Sequence, residues 1–174
     1  MMSLYICSQE SIKLFKMKKL LIAGVFTFTL VGCASTPPRA QDTVQETIRY
    51  SSSPCFGACP IYSVEISPSG AVHFDGKQYT KVTGTQDLTV SPSVYKKLQQ
   101  ELQSYRPETG ANVKTTGCQQ TATDQPSAYF WWKRPDGMVT RLSHYMGCIS
   151  PANIELNKLI ENIPKLIGIE DLVH

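Results

Sequence analysis

Two cysteines four residues apart are the first candidates for chemistry in this chain. Cys55 and Cys59 enclose three residues, with Gly57 at the centre, and Pro60 follows them. Paired thiols can exchange electrons, hold a soft metal ion or form a structural disulfide. Redox pairs usually have two intervening residues and lie at a helix N-terminus, which lowers the thiol pKa. Here the spacer has three residues and a strand is predicted to follow, which favours a structural disulfide.

A metal site is the second interpretation of the same pair. Cys55 and Cys59 together with His144 would supply two thiolates and an imidazole, ligands that suit copper. The Cys-x-x-x-Cys-Pro sequence resembles the thiolate pair of the Sco-type copper chaperones, but the strand–helix–strand order of their fold is not predicted around it. A thiol-redox or copper-handling function using these three residues therefore stays open as the alternative.

Two further cysteines bracket a predicted β-hairpin. Cys118 lies just before it and Cys148 just after it. An even number of cysteines in a small exported domain indicates disulfides, and four cysteines allow three pairings. Because hairpin ends lie close together, the sequence favours Cys55–Cys59 with Cys118–Cys148.

The remaining reactive side chains form no recognisable catalytic set. The sequence has no G-x-S-x-G, H-E-x-x-H or P-loop motif. His144 near Asp124 could act as a general base, but such residues in loops more often satisfy backbone groups. His73 is predicted to be solvated on the outer side of a strand. We therefore expect no enzyme activity, no metal and no cofactor other than a covalent lipid.

Four consecutive aromatic residues, Tyr129 to Trp132, lie in a predicted strand. Successive side chains of a strand point to opposite faces, so one alternate pair should be core. The other pair could form an exposed aromatic strip. Trp131 and Trp132 are accordingly the candidate binding surface for a partner, a glycan or a lipid.

The N-terminal region has the order of a secretory signal. Met17-Lys18-Lys19 is basic, the uncharged run from Leu20 to Val31 is apolar, and small residues surround Cys33. This run is shorter than the roughly 20 residues that a spanning helix needs. We predict that translation starts at Met17, so that residues 1–16 are an upstream segment that is not part of the native protein. A signal peptide is predicted over 17–32, the lipidated Cys33 and a linker over 33–45, and one domain over 46–174.

Leu30-Val31-Gly32-Cys33 resembles the lipobox of bacterial lipoproteins. The resemblance implies that Cys33 carries a diacylglyceryl group and becomes the N-terminus after cleavage, with palmitate-type acyl chains holding the protein to the membrane. No Asp follows Cys33 directly, so the same resemblance implies an outer-membrane anchor facing the periplasm, with the inner membrane as the alternative.

The formal net charge of +3 comes entirely from residues 1–32, the part of the chain that is predicted to be removed. Residues 33–174 hold 13 basic and 13 acidic residues, because four lysines and Glu10 precede them. A neutral domain without a basic run gives no electrostatic reason to expect nucleic acid. The expected partners are the membrane, through the lipid, and an unidentified protein or envelope component.

The predicted elements indicate an α+β fold. Alternating segments predict strands over 44–50, 61–66, 71–75, 78–82 and 87–90, and a hairpin over 127–132 and 138–145. Ser91-Pro92 and Ser150-Pro151 begin two helices, the first ending near Tyr105 and the second stopped by Pro164. The second helix is predicted to bury Ile154, Leu159, Ile160 and Ile163. Residues 108–125 are predicted to be a loop. We expect a mostly antiparallel sheet, a meander plus a C-terminal hairpin, with both helices on one face.

The run from Cys55 to Tyr62 fits the pattern C-F-G-x-C-P-x-Y. Weaker matches follow at Gly70, Gly76, Lys81-Val82-x-Gly84, Thr123-Asp124-x-Pro126, Asp136-Gly137 and His144-Tyr145-x-Gly147. Together they resemble a bacterial domain of unknown function, numbered 6438 and often carried by lipoproteins. The resemblance covers about Gln45 to the end and implies the fold, the export and the domain boundary. It implies no activity, and the Cys118–Cys148 pair is an addition to its core pattern.

Overall fold

The computed structural model describes residues 45–174. The predicted signal peptide, Cys33 and nearly all of the linker lie outside the described residues. The strands are β1 Thr47–Ser52, β2 Ile61–Ile66, β3 Ala71–Gln78, β4 Gly84–Thr89, β5 Asn112–Lys114, β6 Gln120–Thr121, β7 Ser127–Lys133, β8 Val139–Tyr145 and β9 Cys148–Ile149. The helices are α1 Pro92–Leu102, α2 Pro151–Ile167 and α3 Glu170–Val173.

Seven strands form one sheet in the order β4-β3-β2-β1-β7-β8-β5. All neighbours are antiparallel except β5, which pairs in parallel with β8 at the edge. The short strands β6 and β9 form a separate antiparallel pair. The meander and the C-terminal hairpin predicted from the sequence are both present, joined where β1 lies between β2 and β7.

Burial alternates along the strands because the described helices cover one face of the sheet and leave the other open. In β7, Ala128, Phe130 and Trp132 are buried, and the residues between them are partly exposed. The buried sheet residues form one core cluster with Leu98 and Leu102 of α1 and with residues of α2 and α3. The predicted α+β fold, with helices alongside a mostly antiparallel sheet, is therefore confirmed.

Both long helices begin at the predicted caps. The Ser91 side chain accepts a hydrogen bond from Ser93 N–H, and Ser150 accepts one from Asn153 N–H, with proline next in each case. Glu46, just before β1, is buried and accepts two hydrogen bonds from Arg106 in the segment that follows α1. Its carbonyl also accepts a hydrogen bond from Tyr95 Oη, which links the start of β1 to α1. Among residues 45–174, none of the helices is long and apolar enough to cross a membrane.

The end of α2 differs from the sequence prediction. The helix passes through Pro164 and ends at Gly168, whose φ of 75° gives the left-handed cap. Proline removes one helical hydrogen bond, but Pro164 and Ile167 are buried in the core, and this burial offsets the loss. The predicted inner face was also wrong at Ile154, which is 40% exposed, whereas Leu156 is buried.

Two connecting segments also depart from prediction. Residues 79–83 form a turn instead of the strand predicted over 78–82, because Lys81 and Val82 N–H donate to carbonyls of the C-terminal segment. The segment predicted to be a loop over 108–125 contains β5 and β6. Both deviations arise from hydrogen bonds between parts of the chain that are distant in sequence.

Candidate functional site

The Cys55–Cys59 loop connects the end of β1 to the start of β2. The two cysteines are joined in a disulfide with a Cα–Cα distance of 5.9 Å. Gly57 has a φ of 143°, a region that L side chains rarely adopt, and Phe56 N–H donates to the Asp124 carbonyl at 3.2 Å. The loop holds the Phe56 side chain 87% exposed. The motif therefore builds a short closed loop rather than a pair of free thiols.

A cavity of about 210 Å³ lies between this loop and α2. Its lining includes Cys59, Pro60 and Tyr62 of the motif, together with Tyr50 from β1. Burial raises the pKa of Tyr50 to about 12, despite a hydrogen bond with Tyr62 that lowers it. Burial also raises the pKa of Tyr62 well above its usual range. Both phenols are buried and belong to the hydrophobic core.

The second disulfide joins Cys118 to Cys148 with a Cα–Cα distance of 4.9 Å. Cys148 is buried in β9, where it faces Thr121 of β6, and its sulfur accepts a hydrogen bond from Asn153 Nδ2 at 3.2 Å. The Cys118–Cys148 disulfide ties the long segment after α1 to the start of α2. Both pairings are those favoured by the positions of the cysteines in the sequence.

His144 is fully buried on the helix-facing side of β8. Its Nε2 lies 2.6 Å from Asn157 Oδ1, and its Nδ1 lies 2.9 Å from Thr115 Oγ1. Asn157 Nδ2 donates to the Met146 carbonyl, which turns Oδ1 toward the histidine. In the neutral ring, Nε2 donates to Asn157 Oδ1 and Nδ1 accepts from the Thr115 hydroxyl. Burial lowers the pKa of His144, although the bond to Asn157 opposes this.

The structure does not bring the predicted catalytic or metal-binding sets together. Nδ1 of His144 contacts Thr115 and Nε2 contacts Asn157, so neither ring nitrogen bonds to Asp124. The Asp124 carboxylate instead accepts a hydrogen bond from Thr123 Oγ1. Within the described residues, no three His, Cys, Asp or Glu side chains form a group that could hold a metal ion. The His144–Asp124 pairing suggested by sequence is wrong because alternation along β8 directs the ring into the core.

Stability should fall as the pH drops below about 6.5, the pKa of histidine in an unfolded chain. The unfolded chain then binds a proton that buried His144 resists, so the free energy of unfolding decreases through this range. His144→Gln should cost about 1–3 kcal/mol at neutral pH and remove this part of the pH dependence. Urea unfolding of both proteins at pH 7.5 and 5.5 measures it. Equal pH dependence in the two proteins would contradict the assignment.

The two candidate tryptophans lie on opposite faces of β7. Trp132 is 1% exposed and stacks with Phe130 at a centroid distance of 5.8 Å, so it belongs to the core and not to a binding surface. Trp131 lies partly exposed on the other face, 5.5 Å below the Arg49 guanidinium. Of the predicted pair, Trp131 is therefore the one that residues 45–174 leave partly exposed.

Trp131 belongs to what we call the outer face, the side of the seven-stranded sheet opposite the helices. Strand register places Arg49 and Arg141 directly beside Trp131 on its two neighbouring strands. Tyr129 lies two residues away on the same face, with its ring centroid 6.0 Å from that of Trp131. In the part of the chain that the structure describes, the helices pack on the opposite side.

The outer face is divided by charge. We call the outward side chains of β1, β7, β8 and β5 the basic aromatic half: Arg49, Ser51, Tyr129, Trp131, Lys133, Arg141, Ser143, Tyr145 and Lys114. These four strands contain no Asp or Glu. The basic aromatic half was not predicted from the sequence. Its four positive charges lie on four separated strands, and acidic residues elsewhere in the domain cancel them in the net charge.

The other half of the outer face, on β2, β3 and β4, is acidic. Glu65, His73 and Asp87 lie in one cross-strand row, and His73 Nδ1 is 2.6 Å from Asp87 Oδ1. The exposed position of His73 agrees with the sequence prediction. Its contact with Asp87 on β4 was not predicted. Glu65 also lies beside Arg49 in the register, so the boundary between the halves runs between β1 and β2.

Comparison with known proteins gives one family. No curated protein matches the chain at a significant level. Residues 46–167 match a family described as a domain of unknown function, DUF6438, over a range that includes the closed cysteine loop, both disulfides and the whole sheet. This chain therefore belongs to the DUF6438 family.

Proposed function

We propose that this chain is a lipid-anchored protein of the bacterial envelope whose domain is a non-catalytic, disulfide-stabilised binding module. The anchor is supported by the order of the basic residues, the apolar run and Cys33. Two disulfides fit an oxidising compartment such as the periplasm. The absence of Asp directly after Cys33 supports the outer membrane, facing the periplasm.

The observation that carries the binding role is the basic aromatic half of the outer face. Trp131 lies between Arg49 and Arg141 on a face that the described helices leave uncovered. Arginine and large aromatic residues are the side chains most often responsible for binding energy at protein surfaces. Four like charges on one half-sheet repel one another and create a positive potential, which would attract an anionic ligand.

A non-catalytic role is supported by how the reactive groups are used. The four cysteines of the domain are joined in two disulfides. His144 is held neutral between Thr115 and Asn157, inside the core. Tyr50 and Tyr62 are buried in the core, and burial raises the pKa of both phenols. These groups contribute to stability and leave the outer face as the place for recognition.

The lipid anchor is tested by Cys33→Ala. We expect this variant to lose metabolic labelling by an alkyne analogue of palmitate and to accumulate as a precursor that keeps its signal segment, because the acylated cysteine is the proposed cleavage boundary. Labelling is followed by mass analysis of the purified protein. Ser35→Ala, two residues after Cys33, is the matched control and should retain the label. Undiminished labelling of Cys33→Ala would exclude this anchor.

The binding role is tested by photo-crosslinking in cells. A photoreactive residue replaces Ser143, which lies on the outer face, or Lys97, which lies exposed on α1. We expect an adduct at position 143 and none at position 97, and Trp131→Ala should abolish the adduct. Identical adducts at the two positions, or none at 143, would contradict a binding role for the outer face.

A further inference from the structure

We infer that the basic aromatic half binds a carboxylate-bearing glycan strand. This inference rests on the proposed binding function and specifies the chemical class of its ligand. The surface combines unpaired positive charge, flat aromatic rings and hydroxyl groups, and it extends across four strands. Each of these three properties selects one feature of an acidic polysaccharide.

The positive charge selects an anion. Arg141, Lys133 and Lys114 are exposed and form no ion pair within the described residues, and the Arg49 guanidinium lies over Trp131 instead of bonding to a carboxylate. Adjacent strands lie about 4.8 Å apart, so the two arginines flank Trp131 across roughly 10 Å. A chain crossing the strands would meet positive charge on both sides of the aromatic ring.

The rings and hydroxyls select a sugar over an apolar partner. The C–H faces of pyranose rings pack on flat aromatic side chains, and their hydroxyls need hydrogen-bonding partners. Ser51 and Ser143 flank Tyr129 in the next cross-strand row. A concavity of about 260 Å³ lies beside this row, and Tyr129 and Ser143 line it together with Lys114, Ser127, His144 and Tyr145. This volume is below the roughly 300–1,000 Å³ of enclosed ligand sites and fits one ring of a strand lying on the surface.

The backbone favours a carboxylate over a phosphate. Phosphate sites typically use free backbone N–H groups at helix N-termini or in glycine-rich loops. Here the N–H groups of the central strands β1, β7 and β8 are used in sheet pairing, so side chains must supply the contacts. The planar guanidinium of an arginine such as Arg141 can meet a carboxylate through two parallel hydrogen bonds without any backbone N–H, whereas it would be the only contact of this kind for a phosphate, which can accept the same pair.

The test measures binding of oligomers of galacturonic acid to the full chain in neutral detergent. We expect saturable binding that weakens at least tenfold between 50 and 500 mM salt. Methyl esterification of the oligomer should abolish binding. Trp131→Ala and Arg141→Glu should each weaken it at least tenfold. Lys97→Glu, the same change of charge on α1, should leave it unchanged.

Other results would overturn the inference. Equal affinity for the methyl ester would exclude recognition of the carboxylate. Three other anions serve as competitors: phosphorylated dextran, a single-stranded dT oligomer and anionic phospholipid vesicles. Tighter binding of any of them than of the galacturonic acid oligomer would show that the basic aromatic half recognises a different class of anion. If crosslinking at position 143 succeeds but the oligomer does not bind, the binding module stands and the ligand class is wrong. If neither occurs, both proposals fail.

Discussion

Trp132→Ala should lower the free energy of unfolding by about 3–5 kcal/mol, the usual cost of truncating a large buried aromatic. Trp132 is 1% exposed and stacks with Phe130, so its loss leaves a cavity in the centre of the core. Trp131→Ala should cost about 1 kcal/mol or less, since it removes a partly exposed ring and one contact with Arg49. Two adjacent tryptophans should thus give opposite phenotypes.

Urea unfolding of the two variants and the wild type measures this difference from the midpoint and slope of each transition. Trp132→Phe removes less volume and keeps the comparison measurable if the alanine variant does not fold. Trp131→Ala should lose the outer-face adduct while it stays folded, and Trp132→Phe should keep the adduct. A large loss of stability in Trp131→Ala would place that ring in the core and contradict its proposed role.

Removing the Cys118–Cys148 disulfide should cost about 3–4 kcal/mol in the chain-entropy model, because the bond closes a loop of about 30 residues. The separation of the two cysteines in the chain is 30. Removing Cys55–Cys59, with a separation of 4, should cost only about 2 kcal/mol. The double substitution to serine is used in each case, since serine at position 148 still offers Asn153 Nδ2 an acceptor.

Thermal and urea unfolding of the two double variants rank the disulfides directly. The Cys118→Ser/Cys148→Ser protein should be the less stable, and the Cys55→Ser/Cys59→Ser protein should keep the cooperative transition of the wild type. The reverse order would mean that the small loop contributes far more than its length predicts. In that case the closed motif would stabilise the cavity beside it rather than only shape a surface loop.

The parts of the fold with strong local signals were predictable from the sequence. Alternation over 61–66 gave β2 at its exact bounds, and Ser91 and Ser150 marked the helix starts. The pairing of cysteines followed from their positions at the ends of elements. The strand and helix predictions succeed because period-two alternation and capping act within a few residues of each other. The pairing of Cys118 with Cys148, 30 residues apart, succeeds because the hairpin between them brings its two ends together.

What depended on distant contacts was not predictable. The passage of α2 through Pro164 reflects burial of Pro164 and Ile167 against the sheet, and the turn at 79–83 reflects bonds to the C-terminal segment. The order of strands, with β1 beside β7, decides which outward side chains become neighbours. This strand order places Arg49 on one side of Trp131 and Arg141 on the other. The net charge and the alternation of residues within single strands therefore could not identify the candidate site.

The central claim is that the cysteines stabilise a binding module and perform no thiol or metal chemistry. Its most direct test is the mass of the intact native protein, measured after alkylation with and without prior reduction. We predict no alkylation of Cys55, Cys59, Cys118 or Cys148 before reduction, alkylation of all four after it, and no bound metal. Free thiols at Cys55 and Cys59 in the native protein, or a bound copper ion, would contradict the claim and make the motif the active site.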